Sequence, residues 1–267
     1  MTTTTSAAWT EETVATAGVT IQLVTGGTGT PLLILHDELG HPGWLRFHDA
    51  LAQHYTLHLP SHPGFGQSER PEWIMNMRDL AAWYLDALDE LQIPPVPVIG
   101  LSLGGWLAAE MAAMCPQQFT KLVLVSPFGI RPPTGEIYDM FLVVAKAYLT
   151  ASFADPANTP EYQERYGDNP TPEQAEAWEV AREMTSRLAW RPYMHDLSLP
   201  YRLRRLRRLP TLVVWGQQDA IVPPSAAEAY HQAIPGSQLV TFDRCGHHPE
   251  IEHTEAFVRR VQEFLQA

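Results

Sequence analysis

Cysteine is almost missing from this chain of 267 residues. Cys115 and Cys245 are the two it has, too few for a disulfide framework or a four-cysteine zinc site. No run of about 18 apolar residues occurs, which leaves out a transmembrane helix. The start, Met1-Thr2-Thr3-Thr4-Thr5-Ser6, has neither the basic end nor the apolar stretch of a signal peptide. Basic residues are scarce: 18 Lys and Arg face 30 Asp and Glu, a formal net charge of −12, which argues against general affinity for nucleic acid or anionic membrane. Apart from the threonine-rich start there is no low-complexity tract, and there is no internal repeat. The expectation is an acidic, cytoplasmic globular protein, monomeric or homodimeric, with no nucleic-acid or membrane partner.

What is present is a 45% hydrophobic composition, enough for one large domain or a core with an insertion. Val19, Ile21 and Leu23 alternate with polar residues ahead of Thr25-Gly26-Gly27, a strand and turn. Continuous apolar runs at 32–35, 96–101, 121–126 and 211–215 suit strands covered on both faces, as in a parallel sheet. Helical spacing lies between them: Leu80, Tyr84, Leu85 and Leu88; then Trp106, Ala109 and Ala113 before Pro116; and finally Phe257, Val258, Val261 and Phe264. Strand alternating with helix predicts an α/β fold with right-handed crossovers.

Between Ser126 and Thr211 no convincing strand occurs, and a structureless loop of that length is implausible. Ile137, Met140, Phe141, Val144 and Tyr148 space as one helix face. Thr171-Pro172-Glu173-Gln174 reads as a capping box with Pro at the first helical position. Residues 132–208 are therefore expected to form a helical cap on a core made of 1–131 and 209–267. Arg202, Arg204, Arg205, Arg207 and Arg208 predict the solvated face of a helix whose Leu203, Leu206 and Leu209 pack inward.

The chemistry is expected at strand ends. Gly100-Leu101-Ser102-Leu103-Gly104 lies between an apolar strand and a helix, where flanking glycines leave room for a strained nucleophile turn. A serine hydroxyl attacks at neutral pH only if a base takes its proton and a third group orients that base. Asp219 follows the apolar run 211–215, and Cys245-Gly246-His247-His248-Pro249 places an imidazole before the last helix. Serine, acid, histidine is the chain order such a sheet requires. His54, His58 and His62 are spaced by four, but that spacing shares a face only on a helix, and this stretch reads as strand and loop; no metal is expected. Asp139 and Asp196, rival acids, follow no core strand.

With these residues in hand, the chain resembles the α/β-hydrolase superfamily with a helical cap, from about residue 19 to the C-terminus. The likeness is carried by Leu33-Ile34-Leu35-His36, Pro63-Gly64-Phe65-Gly66-Gln67-Ser68, Gly100 to Gly105, Trp215 to Asp219, and Gly246-His247-His248-Pro249-Glu250. The resemblance implies a mostly parallel sheet flanked by helices, with the cap inserted after the sixth strand. It implies Ser102 as nucleophile, Asp219 as orienting acid and His247 as base, with His248 the alternative. It also implies an oxyanion hole made by the backbone N–H groups of Leu103 and of a residue after His36; Glu38 is the expected donor by position. No cofactor is implied. The family usually carries His-Gly where this chain has His36-Asp37, and often an acid where it has His62. The activity implied is a serine hydrolase cleaving small to medium carboxylic esters through an acyl-enzyme. Carbon–carbon bond hydrolysis of ring-cleavage products, lactone or thioester hydrolysis, and a non-catalytic binding module are the alternatives. Phe141 and Val144 are the expected pocket residues from the cap.

Overall fold

The apolar runs pair side by side because each is buried on both faces and must find its hydrogen bonds in neighbouring strands. In a computed structural model describing residues 8–167 and 169–267, the strands are β1 (Trp9–Thr16), β2 (Val19–Gly27), β3 (Thr30–Leu35), β4 (Tyr55–Pro60), β5 (Val96–Leu101), β6 (Phe119–Val125), β7 (Thr211–Gly216) and β8 (Gln238–Phe242). The threonine-rich start lies outside the described residues. The strands form one eight-stranded sheet in the order β1-β2-β4-β3-β5-β6-β7-β8. β1 and β2 are a hairpin turned at Ala17 and Gly18, both at positive φ, and β2 runs antiparallel to β4. Every later pairing is parallel.

Alternation along the strands sorts the core into two layers. Leu33, Leu35, Val98, Leu122 and Val213 face one side. Ile34, Ile99, Val123, Leu212 and Val214 face the other. The first side is covered by α2 (Met77–Glu90), α3 (Leu103–Met114) and α8 (Ser225–Ala233). The second is covered by α1 (Arg46–Leu51) and α10 (Thr254–Gln266), with the short α9 (Pro249–Glu252) beside them. The expected helix faces are buried here: Leu80 and Tyr84 on α2, Trp106 and Ala109 on α3, Phe257 and Val261 on α10.

The chain between β6 and β7 is helical, with α4 (Ala145–Ala151), α5 (Pro160–Arg165), α6 (Pro172–Ala189) and α7 (Leu199–Leu203). Two expectations need correction. The apolar spacing at 137–148 is not one helix: 137–144 is irregular, and α4 starts only at Ala145. The reason is that its amides are claimed elsewhere. Tyr138 N–H donates to Ile221 O, Met140 N–H to the Tyr193 hydroxyl, and Phe141 N–H to the Asp139 carboxylate. Likewise, Thr171 caps α6 by accepting from Gln174 N–H at 3.2 Å, with Pro172 at N1. The reciprocal half of the box is absent, because the Gln174 side chain donates to Arg165 O instead.

Leu203, Leu206 and Leu209 are buried as expected. Arg202, however, is not on a solvated face. Its guanidinium grips the fully buried Glu110 of α3 with both terminal nitrogens and reaches Asp196 at 2.7 Å. Among the described residues, no helix is long and apolar enough to cross a membrane, and no cluster of His, Cys, Asp or Glu is arranged to hold a metal ion.

Candidate active site

Ser102 sits where β5 turns into α3. Its backbone is at φ 49 and ψ −109, the strained region that a non-glycine residue rarely adopts. The turn is possible because its flanks are bare. A Cβ on Gly100 would lie 2.3 Å from Gly104 O, and one on Gly104 would lie 2.3 Å from Leu35 O and 2.5 Å from His36 O. The strain is held from both sides: Ser102 N–H donates to Val125 O, and Ser102 O accepts from Gly105 and Trp106. The hydroxyl is thereby presented at the carboxyl edge of the sheet, where α/β folds build their sites.

Ser102 Oγ lies 2.7 Å from His247 Nε2, and His247 Nδ1 lies 2.8 Å from Asp219 Oδ2. The carboxylate can only accept, so Nδ1 carries the proton and Nε2 is left as acceptor for the serine hydroxyl. Asp219 is itself pinned, its other oxygen taking Ile221 N–H at 2.9 Å and Val222 N–H at 3.0 Å. His247 is held at its backbone too, donating its N–H to Ser152 O of the turn that ends α4 at 2.7 Å. All three side chains are buried, with Ser102 only 2% exposed. Burial opposes a charge on His247, but Asp219, by its charge and its hydrogen bond, outweighs it with help from Glu38, so its pKa is raised above the ordinary value.

His248 goes elsewhere. Its Nδ1 meets Glu250 Oε1 at 3.0 Å, and its ring stacks on Phe153. Burial opposes its charge, yet Glu250, followed by Asp37 and Glu38, pushes its pKa up to about 9. Of the two adjacent histidines, the one that reaches Ser102 is His247.

The turn after β3 is the other half of the site. His36 and His62 stack with ring centroids 3.7 Å apart, and His36 Nε2 accepts from His62 N–H, so its Nδ1 donates to Asp37 O at 2.7 Å. Burial holds both histidines below the ordinary value, His62 at about 3; they are neutral positioning groups. Asp37 caps its own turn by accepting from Leu39 N–H. Its pKa is raised to about 7, first by burial and then by neighbouring Glu38.

Glu38 is buried. Thr185 of α6 donates to its carbonyl at 2.8 Å, and the Tyr148 hydroxyl of α4 donates to Oε1. Its Oε2 is buried with no partner among the described residues. The N–H groups of Leu103, at the first position of α3, and of Glu38 likewise have no hydrogen-bond partner among the described residues.

The two expected pocket residues are not at this turn. Val144 is 68% exposed, because α4 begins after it. Phe141 packs on Trp190 and Tyr193, with the Arg182 guanidinium over its ring. From this segment it is Tyr148, with Ser152, that reaches the site. Helical spacing marks Tyr148 as apolar-face packing, and nothing in the sequence pairs it with Glu38.

A family model described as the alpha/beta hydrolase fold matches residues 23–254. The chain belongs to the α/β-hydrolase fold family. This α/β-hydrolase is 30% identical over 269 residues to a 2-hydroxymuconate semialdehyde hydrolase of Pseudomonas putida, covering 93% of this chain and 92% of that one. It is 29% identical over 265 residues to a pimeloyl-[acyl-carrier protein] methyl ester esterase of Nitrosomonas europaea, covering 89% and 96%. Among solved structures, a membrane phospholipase A described as a bacterial virulence factor superposes with a TM-score of 0.81 at 25% identity, covering 97% of this chain and 86% of that one.

Proposed function

We propose that this α/β-hydrolase is a serine hydrolase of small to medium carboxylic esters. The observation that carries the reading is the unbroken relay from Ser102 Oγ through His247 to Asp219, with donor and acceptor roles fixed by the aspartate. Ser102 Oγ attacks the acyl carbon as its proton passes to His247 Nε2. The N–H groups of Leu103 and Glu38 bind the oxygen that becomes negative. His247 then protonates the leaving alcohol, a water gives its proton to the same nitrogen as it attacks the acyl-enzyme, and His247 returns that proton to Ser102 Oγ as the acid leaves. Asp219 stabilises the imidazolium through both half-reactions.

Residues 132–208 act as a cap that closes over the acyl group and excludes water. Support comes from α4 and α6, whose Tyr148 and Thr185 both clasp Glu38.

A second reading is hydrolysis of a carbon–carbon bond in a ring-cleavage product. It is favoured by the 30% identity to 2-hydroxymuconate semialdehyde hydrolase. Against it stand Asp37 and Glu38, two buried acids beside the nucleophile turn, where an anionic substrate gains nothing.

The deciding experiment has two parts. A fluorophosphonate should label wild-type protein at Ser102, and a protein with no hydrolytic nucleophile would stay unlabelled. A panel of p-nitrophenyl esters from acetate to palmitate, run beside a dienone acid, should give turnover on the shorter esters. Faster turnover of the dienone acid than of every ester would select the second reading.

A further inference from the structure

We propose that Glu38 is a specificity-determining residue whose buried carboxylate selects an ester with a protonated amine on its acyl chain and rejects one with a carboxylate there. The inference rests on the serine-hydrolase reading.

The turn carrying Glu38 lies against the nucleophile. Gly104, in the first turn of α3, has no room for a Cβ because Leu35 O and His36 O are so close, and Glu38 follows two residues later. The residue is clamped. Thr185 holds its carbonyl and Tyr148 holds Oε1. The helix that supplies Tyr148 ends in the turn whose Ser152 O receives the His247 N–H, so one element fixes both the carboxylate and the base.

What is left over is Oε2. It is buried and has no hydrogen-bond donor among the described residues. A carboxylate oxygen out of reach of water calls for a donor, and better a charged one. The surrounding groups do not supply it. The charge of His248 is answered by Glu250 at 3.0 Å. The Nδ1 proton of His247 goes to Asp219. Tyr148 spends its hydroxyl on Oε1, and the Tyr193 hydroxyl donates to Tyr138 O. Arg182 directs its terminal nitrogens to Glu179, Met140 O and Val143 O. The neighbouring Asp37 already responds to Glu38: after burial, that carboxylate is the main influence raising its pKa. A substrate carboxylate brought to the same place meets the same repulsion, and an ammonium meets attraction plus a vacant acceptor.

Three methyl esters of matched length test this: methyl 6-aminohexanoate, methyl heptanoate and monomethyl adipate. At pH 7.5 the expected kcat/KM for the amino ester exceeds that for the adipate by about a hundredfold, as opposite and like charge beside one buried carboxylate require. Glu38→Gln keeps the side chain's size and its acceptor for Tyr148, and should bring the ratio to within about threefold.

Binding is read separately from turnover. Calorimetry on the Ser102→Ala protein with hexylammonium, 1-hexanol and hexanoate should rank them in that order, and the added Glu38→Gln substitution should level the ranking. An unchanged ratio in Glu38→Gln, or tighter binding of hexanoate than of hexylammonium, overturns the inference. No turnover of any ester, with the binding order intact, overturns the ester-hydrolase reading and upholds only the preference of Glu38 for an ammonium ligand. If Glu38→Gln does not fold, the wild-type ranking decides.

Discussion

At the scale of single residues, the two adjacent histidines make opposite predictions. His247→Ala removes the proposed base, so esterase kcat/KM should fall at least a thousandfold, as it should for Ser102→Ala. His248→Ala should spare the rate and cost stability alone. It strands Glu250, which is buried, and breaking a buried pair in this way costs about 3 kcal/mol, read as a lower denaturant midpoint, while the esterase rate stays within about tenfold. The opposite pattern would move the base to His248. The same geometry sets a pH dependence. Protonated His247 cannot accept the serine proton, and its pKa is raised. The kcat/KM profile should therefore fall with acid through one ionisation whose midpoint lies above histidine's ordinary value; a midpoint below that value would mean that burial, not Asp219, dominates. These residues were legible in the sequence because a strained turn demands glycines and because serine, acid and histidine occur in the one order this sheet accepts. The environment of Glu38 was not legible. It depends on Tyr148, 110 residues away, and no local pattern encodes a contact of that range.

At the scale of elements, the same contrast holds. The buried strands β3, β5, β6 and β7 announce themselves as apolar runs, whereas β1 is almost wholly exposed and β8 lies at the other edge, so neither has a continuous hydrophobic signature. The irregular stretch 137–144 carries helical spacing although it buries Met140 and leaves Val144 exposed, and its amides are spent on Ile221, Tyr193 and Asp139. Periodicity is silent about where hydrogen bonds go. The attachment of α4 is testable. Tyr148→Phe leaves both oxygens of the Glu38 carboxylate without a donor from the protein, at a cost of about 1–3 kcal/mol. Thermal unfolding should show the loss; an unchanged midpoint would mean that the phenol contributes nothing to holding α4. Substitutions along 132–208, assayed with esters of two, four and eight acyl carbons, should alter chain-length preference by about tenfold or more. Equal loss on all three esters would make the segment purely structural.

At the scale of the whole molecule, stability should be greatest near neutrality. Burial keeps His36, His41, His48 and His62 from charging, with His41 at about 4 and His62 at about 3. The unfolded chain binds those protons and the folded one does not, so stability drops as pH falls below about 6.5. On the alkaline side His248, raised to about 9, holds a proton the unfolded chain has lost, so its contribution disappears between about 6.5 and 9. Denaturant midpoints measured from pH 4 to 10 should trace this dome; a flat profile between 5 and 9 would contradict it. The arginine-rich stretch also acts at this scale. Arg202 of α7 is bolted to Glu110 of α3, so Arg202→Ala should cost about 3 kcal/mol by leaving the buried Glu110 with the Trp106 indole N–H in place of a cation.

The bond from His247 N–H to Ser152 O has a kinetic consequence. Ser102 is only 2% exposed, so on the proposed reading of 132–208 as a cap a substrate gains access when part of that cap lifts. The part beside the nucleophile is α4, and lifting it draws Ser152 O away from the histidine backbone. On that reading the gap that admits a molecule also slackens the proposed base, and the open form is the less reactive one. On the serine-hydrolase reading, acylation then begins on reclosure. Inactivation by an organophosphonate should accordingly level off at high reagent concentration, at a ceiling equal to the frequency of opening.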